Sequence, residues 1–347
     1  ASLKNLHIID NIQDQLGDGS AIFSLNGTLN MDVVNLYNNS GSYGTIGLVN
    51  SVAAINNVIV SNNTVSNSGG GLYVNSSDVI VKNSLLSNNN AGVGGGIFSN
   101  GSNLDVINSV IKDNSSNDKA GGIEADGGTI LKISETLVHG NVSVSVGSGL
   151  SLTSSTASIH NSTIANNTMS ELYTFGGGSL FNLFGNSSLA FFQSTLSNTQ
   201  PKIFRFEKIN ESDEINLSFQ NSNVLGGQDS VATNEIISEV GINFSWTSSY
   251  NFDPDFVDAD GGDFNLLASS KLINSGNLDS LDSDGTRADI GAFPYLNSYN
   301  GPDWYVSESG NDLTASGSSD DPFRSIQAAL NFGSDGDTAF VSAGTYN

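Results

Sequence analysis

Apolar residues along the first two thirds of the chain keep a fixed distance from a recurring asparagine. Taking each Asn that follows an apolar residue by three gives Ile8 to Asn11, Leu36 to Asn39, Val60 to Asn63, Leu86 to Asn89, Ile111 to Asn114, Val138 to Asn141 and Ile164 to Asn167. Successive asparagines lie 28, 24, 26, 25, 27 and 26 residues apart, the signature of a repeat. Ten and eight residues before each Asn stand two more apolar side chains: Ala1/Leu3, Leu29/Met31, Ala53/Ile55, Val79/Val81, Leu104/Val106, Leu131/Ile133 and Ala157/Ile159. Period-two alternation over so short a run predicts a strand with one buried face. Two further coils keep the pattern with the Asn replaced: Leu189, Phe191 and Leu196 lead to Thr199, and Leu217, Phe219 and Val224 lead to Gly227. Nine registered coils result.

Between each Asn and the next strand comes a glycine step into an apolar residue: Gly70-Gly71-Leu72, Gly95-Gly96-Ile97, Gly121-Gly122-Ile123, Gly149-Leu150 and Gly177-Gly178-Ser179-Leu180. A tight corner with φ > 0 is the expected reason. Asn63, Asn89, Asn114, Asn141 and Asn167 are expected to point inward as a structural ladder bonded from coil to coil. Six residues before the ladder runs a second polar column, Asn5, Asn57, Asn83, Asn108, Asn161 and Asn221, with Glu135 and Gln193 in register and Val33 the exception. These too are expected to stack structurally, although many of the asparagines fall in Asn-x-Ser/Thr, the glycosylation acceptor pattern. A period near 26 with three short strands, glycine corners and an Asn ladder predicts an all-β parallel β-helix. A leucine-rich repeat has a similar period, but its Leu-x-x-Leu-x-Leu framework is missing.

The Gly-Gly-x-apolar and apolar-x-x-Asn pair resembles the short repeats of chlamydial polymorphic outer-membrane proteins and related autotransporter-like adhesins, over roughly residues 1–228. That resemblance implies a right-handed β-helix at a cell surface; the same motifs also occur in lyases of this fold. Residues 229–297 lose the period and turn acidic, with Asp253-Pro254-Asp255-Phe256-Val257-Asp258, Gly262-Asp263-Phe264-Asn265-Leu266 and Asp289-Ile290-Gly291-Ala292-Phe293. This stretch resembles the choice-of-anchor Q region of bacterial surface proteins, which implies export and an irregular acidic cap closing the end of the solenoid. Residues 298–347 resemble the opening of a further β-helix. Pro322 near a helix start, then Phe323, Ile326, Ala329 and Leu330 at helical spacing, predicts a short amphipathic helix leading to a strand.

Charge and composition narrow the partners. The chain has 35 Asp+Glu against 11 Lys+Arg, a formal charge of −24, which repels nucleic acid and anionic membrane surfaces. Cysteine is absent, so disulfides and thiolate metal sites are excluded. No apolar run reaches the length of a membrane span and no leader precedes Ala1, as expected of a processed or excised piece.

Candidate chemistry is sparse. His7, His139 and His160 occupy different coil positions, so no shared metal site is expected and all three are placed on the surface. Outward positions bring Lys82, Asp105, Lys132 and His160 onto one face, the only acid/base group that a lyase could use. Asp258, Asp260 and Asp263, and Asp282 and Asp284, set carboxylates at alternate positions around glycine turns, as calcium requires. Arg287 and Asp289 are expected to form a structural pair. The favoured reading is a non-catalytic, secreted or surface-exposed structural or adhesive protein with a glycan or protein partner. The alternatives are a polysaccharide lyase-like enzyme and a carbohydrate-binding module. The opening segment suggests head-to-tail self-association, with Phe323, Ile326, Leu330, Phe340 and Val341 covering the coil that contains Leu3 of another copy.

Overall fold

In the computed structural model the described residues are all of 1–347 except 14–16, 18, 171–179, 199–202, 232–239 and 347. Gly177, Gly178, Ser179 and Thr199 of the repeat therefore lie outside the described residues. The chain is an all-β parallel solenoid of about eight turns, matching a right-handed parallel β-helix. Its sheets have 16, 6 and 8 strands.

The inward register follows the apolar pairs. Leu3 stands opposite Met31, Met31 opposite Ile55, Ile55 opposite Val81, Val81 opposite Val106, and so on to Phe191 opposite Phe219. Leu29 through Phe219 at these positions are buried in one continuous core, whereas Leu3 is only partly covered and Ala1 is exposed. The core changes character along the axis. Early coils pack aliphatic side chains, while later ones stack Phe191 on Phe219 with centroids 4.8 Å apart and Phe181 on Phe204 at 4.6 Å. The stack also runs one strand beyond the nine expected coils, because Ile242–Thr247 pairs with Ile215–Gln220.

The four middle coils have four strands each rather than three, whereas the two coils before them have three, because Thr28–Tyr37 and Val52–Ser61 each run through the first corner as one strand. In one of the four-stranded coils they are Asp78–Lys82, Leu85–Ser87, the two-residue Asn90–Ala91, and Ile97–Asn100. Single left-handed residues join them: Asn83 at φ 51°, Asn88 at 54°, Gly94 at 64° and Gly101 at 55°. Two expectations change as a result. The column that contains Asn83 is chiefly a corner, and asparagine recurs there because it tolerates this conformation. Amide stacking is only partial, as in Asn108 Nδ2 to Asn83 Oδ1 at 2.8 Å. The glycine pair is explained by space, not by φ. The left-handed residue is Gly94, while a Cβ on Gly96 would lie 2.7 Å from the carbonyl oxygen of Gly122 in the next coil.

The inner asparagines form the ladder expected. Asn114 Nδ2 donates to Asn141 Oδ1 at 2.9 Å and to the Leu86 carbonyl at 3.0 Å. Its own Oδ1 accepts from the Asn89 backbone N–H and from Asn89 Nδ2, both at 3.0 Å. Asn39, Asn63, Asn89 and Asn141 repeat the link upward and downward, and Asn63 through Asn167 are fully buried. Two hydroxyl ladders accompany it. One runs Ser77, Ser102, Thr129 and Ser155; the other runs Ser84, Ser109, Thr136 and Ser162, each hydroxyl accepting the backbone N–H of the coil before.

Only the first part of the acidic region covers the end of the stack, where Ile242–Thr247 adds a rung and Val231 and Ile242 join the core; the rest turns back. It folds back as a strap along the outward face of the strands Val110–Lys112, Leu137–His139, Thr163–Ala165 and Thr195–Ser197. Its antiparallel strands Phe256–Asp258 and Asp263–Leu266 place Phe264 in a cluster with Leu137 and Ala165. Thr163 Oγ1 accepts from the Ala292 N–H at 3.0 Å, Thr195 Oγ1 donates to the Ile290 carbonyl at 3.1 Å, and the Gly291 N–H donates to the Gln193 carbonyl. The physical reason is that Leu137, Ala165 and Val110 make this side of the solenoid apolar, so it needs covering.

Residues 303–346 pack on that strap. Strands Asp303–Val306 and Thr338–Val341 pair in parallel, and the helix Ile326–Phe332 is capped by the Ser325 hydroxyl accepting from the Ala328 N–H. Its buried face is Ala328 and Ala329, against Trp304 and Phe323, so Ile326 and Leu330 point outward. Asn331 Nδ2 donates to the carbonyls of Ala268 and Ser270, both at 2.8 Å, tying the helix to the strap. Phe323 precedes the helix, bridges to Val306 and is fully buried within its own chain. It therefore cannot contribute to a contact between copies.

Candidate functional site

The first sheet of each coil shows alternate residues to the outside, in three columns along the stack. Asp105 stands opposite Lys132, and Lys132 opposite Ser158. The next column runs Lys82, Ile107, Ser134 and His160. Lys82 and His160 are thus three rungs apart, about 14 Å at strand spacing, so the four residues share a face without converging. Asp105 and Lys132 line a shallow concavity of about 410 Å³ with Val52, Asp78, Ile80 and Ile130. His160 stacks on Phe192, with centroids 4.6 Å apart and planes at 9°, and partial burial lowers its pKa.

His7 is exposed, as expected. His139 is not. The strap covers it, its ring lies 5.0 Å from that of Phe264, and burial holds its pKa below the usual imidazole value.

The acidic turns hold their own backbone. Asp258 accepts from the Gly261 N–H at 2.9 Å, and Asp263 from the Asn265 N–H at 3.0 Å. Asp282 accepts from the Asp289 N–H, while Asp284 accepts from Thr286 and from the Asn297 N–H. Asp260 is exposed within its turn. Among the described residues no three His, Asp or Glu side chains converge as a metal site. The expected Arg287–Asp289 pair is absent, because each finds backbone instead. Arg287 donates to the carbonyls of Gly276 and Ser275, and Asp289 accepts from the N–H groups of Asn274 and Tyr295, both at 2.7 Å. Burial, with Asp282 and Asp284 nearby, pushes the Asp289 carboxyl up to about 7.

Of the ionic pairs among the described residues, none of them anticipated from the sequence, one has a buried carboxylate. Glu124 is fully buried although it faces outward from the strand Ile123–Asp126. Lys119 Nζ lies 2.7 Å from its Oε1, Thr153 donates to the same oxygen at 3.1 Å, and Oε2 has no partner among the described residues. Burial pushes this carboxyl up to about 7 against the pull of Lys119.

Comparison with protein-family models, curated proteins and solved structures returned no match.

Proposed function

We propose that this chain is a non-catalytic structural or adhesive solenoid acting outside the cell. The observation that carries the reading is the spread of Lys82, Asp105, Lys132 and His160, which general acid–base chemistry would need within hydrogen-bond reach of one substrate proton. The backbone around them is a regular stack, and the buried polar side chains serve the stack itself. The likeness of the repeats to polymorphic outer-membrane proteins, and of the strap to choice-of-anchor Q regions, supports a surface location. The test is incubation with pectin, alginate and neutral glycans in the presence of calcium, following unsaturated and reducing ends. No turnover is expected. Turnover lost in Lys132→Ala or His160→Ala would establish the lyase-like alternative.

Two subsidiary proposals belong to this reading. Ile326, Leu330, Phe340 and Val341 are exposed, and we propose them as a contact for head-to-tail assembly with the coil that contains Leu3. Deleting residues 303–347 is expected to abolish filaments; filaments formed by the shortened chain would exclude that contact. Calcium at Asp258, Asp260 and Asp263, or at Asp282 and Asp284, is proposed as a stabilising ligand, for which the carboxylates must turn from their present amide partners. A calcium-dependent rise in melting temperature, lost in Asp258→Asn with Asp263→Asn, is the expected sign; an unchanged melting temperature would exclude it.

A further inference from the structure

The outward face of the first sheet carries large apolar residues that its own chain leaves open. Val52, Ile80 and Ile130 are 54, 44 and 49% exposed and line the same concavity as Asp105 and Lys132. Such a cluster on an otherwise polar sheet marks a surface that something covers. Three observations indicate that a second copy covers it.

The first is charge. A chain of net charge −24 repels itself nearly everywhere. On this face, however, Lys82 and Lys132 balance Asp78 and Asp105 over three consecutive rungs. The second is pairing. Asp105 and Lys132 are register partners, yet among the described residues no ion pair joins them or engages either one. Both are available to a partner.

The third is shape. Consider a two-fold axis parallel to the strands, passing between the rungs of Asp105 and Lys132. It lays one face on the other with each column upon itself and the order of rungs reversed. Asp105 then meets the partner's Lys132, and Lys132 the partner's Asp105. The rungs beyond follow from the register: Ile80 meets the partner's Ser158, Val52 the partner's Ser188, Ile130 the partner's Asn103, and Ile107 the partner's Ser134. Every bulky aliphatic side chain is set against a short one. In the first two columns the half of the face with Val52 and Ile80 is large and the half with Ser158 and Ser188 is small, while in the third the stacked His160 and Phe192 face the partner's Lys82 and Asn56. A two-fold contact needs this self-complementarity, and packed sheets lie about 10 Å apart. An axis along the stack would set Asp105 on Asp105 and Lys132 on Lys132, which excludes that arrangement.

We propose that two copies of this chain associate through this face, antiparallel along the solenoid axis, with reciprocal Asp105–Lys132 pairs at the centre. Sedimentation equilibrium of the full chain should give twice the 36.1 kDa mass. Asp105→Lys and Lys132→Asp should each give monomers, because each sets like charges across the axis. The double exchange should restore the dimer. A wild-type monomer, a dimer indifferent to either reversal, or a double exchange that folds yet stays monomeric would overturn the proposal. Because the chain has no cysteine, an independent check is available. Ile80→Cys with Ser158→Cys places the thiols three rungs apart within one chain, too far for an internal disulfide, but opposite one another across the axis. Oxidation should yield cross-linked dimers rapidly. Cross-linking no faster than with Ile80→Cys and Ser218→Cys would also overturn it.

Discussion

The imidazole of His139 rests on the ring of Phe264, 5.0 Å between centroids, and this contact fastens the acidic strap to the middle of the solenoid. Burial lowers the pKa of His139; Asp113 opposes that shift and Lys112 adds to it. From the strap side, Asp263 lines the same surface concavity as His139. A lowered imidazole pKa means that the neutral form is favoured on folding. Its contribution is complete above the unfolded value, about 6.5, and is lost as pH falls through the folded value. The wild type should therefore lose more thermal stability below pH 6.5 than His139→Phe does. Parallel melting curves for the two proteins from pH 7 to pH 5 would exclude this role.

Asp289 behaves in the opposite sense. Its carboxyl is raised from 3.8 to about 7, so its contribution is complete in acid and fades as pH rises through about 7. A carbon-detected titration should show one aspartate with a midpoint near 7, assigned by its loss in Asp289→Ala. If every aspartate titrates below pH 5, the strap does not bury this group as described.

The asparagine ladder makes a quantitative demand. Asn114→Ala leaves the Asn89 N–H, the Asn89 side-chain amide and the Leu86 carbonyl without their partner in the interior. The expected loss is about 1–3 kcal/mol for a buried polar group left unpaired, read as a lower denaturant midpoint with an unchanged slope. A loss below ~0.5 kcal/mol would mean that water replaces the amide.

Glycines in the coils should divide by cause. Gly96→Ala drives a Cβ to within 2.7 Å of the Gly122 carbonyl oxygen, and so pushes apart two rungs that are bonded N–H to carbonyl. About 2–3 kcal/mol is expected, as for overpacking of a tight interior. Gly128 has φ 85° with nothing within 4 Å of an added Cβ. There Gly128→Ala should cost only the left-handed strain, about 1–2 kcal/mol. Equal losses at the two sites would undo the distinction.

Much of this could be read along the chain because a solenoid repeats local statements. Period two with a constant offset to Asn fixes both the inward face and the rung-to-rung register, and Leu104, Leu131 and Ala157 fell where that offset put them. The rung Ile242–Thr247 escaped notice because its Asn position and glycine step are gone, although it follows Ile215 by the usual interval. The strap was misplaced for a different reason. Leu137 and Ala165 stand at outward positions, and nothing periodic connects them with Phe264. Lys119 and Glu124 carried no signal at all, since an outward acid in a strand ordinarily faces water. Phe323 was assigned to a helix by spacing, but the chain bridges it to Val306 first and starts the helix at Ile326.

The strap has a mechanical consequence. A bare solenoid pulled from one end can peel rung by rung, each step resisted only by the bonds to the next rung. Here Asn166, Thr163, Gln193 and Thr195, on neighbouring rungs, are bonded to one continuous segment, residues 259–292. Peeling that reaches this stretch must break those bonds together with the rungs, so the load passes from series to parallel. In a single-molecule pulling trace the strapped rungs should give one tall rupture in place of a run of small even steps.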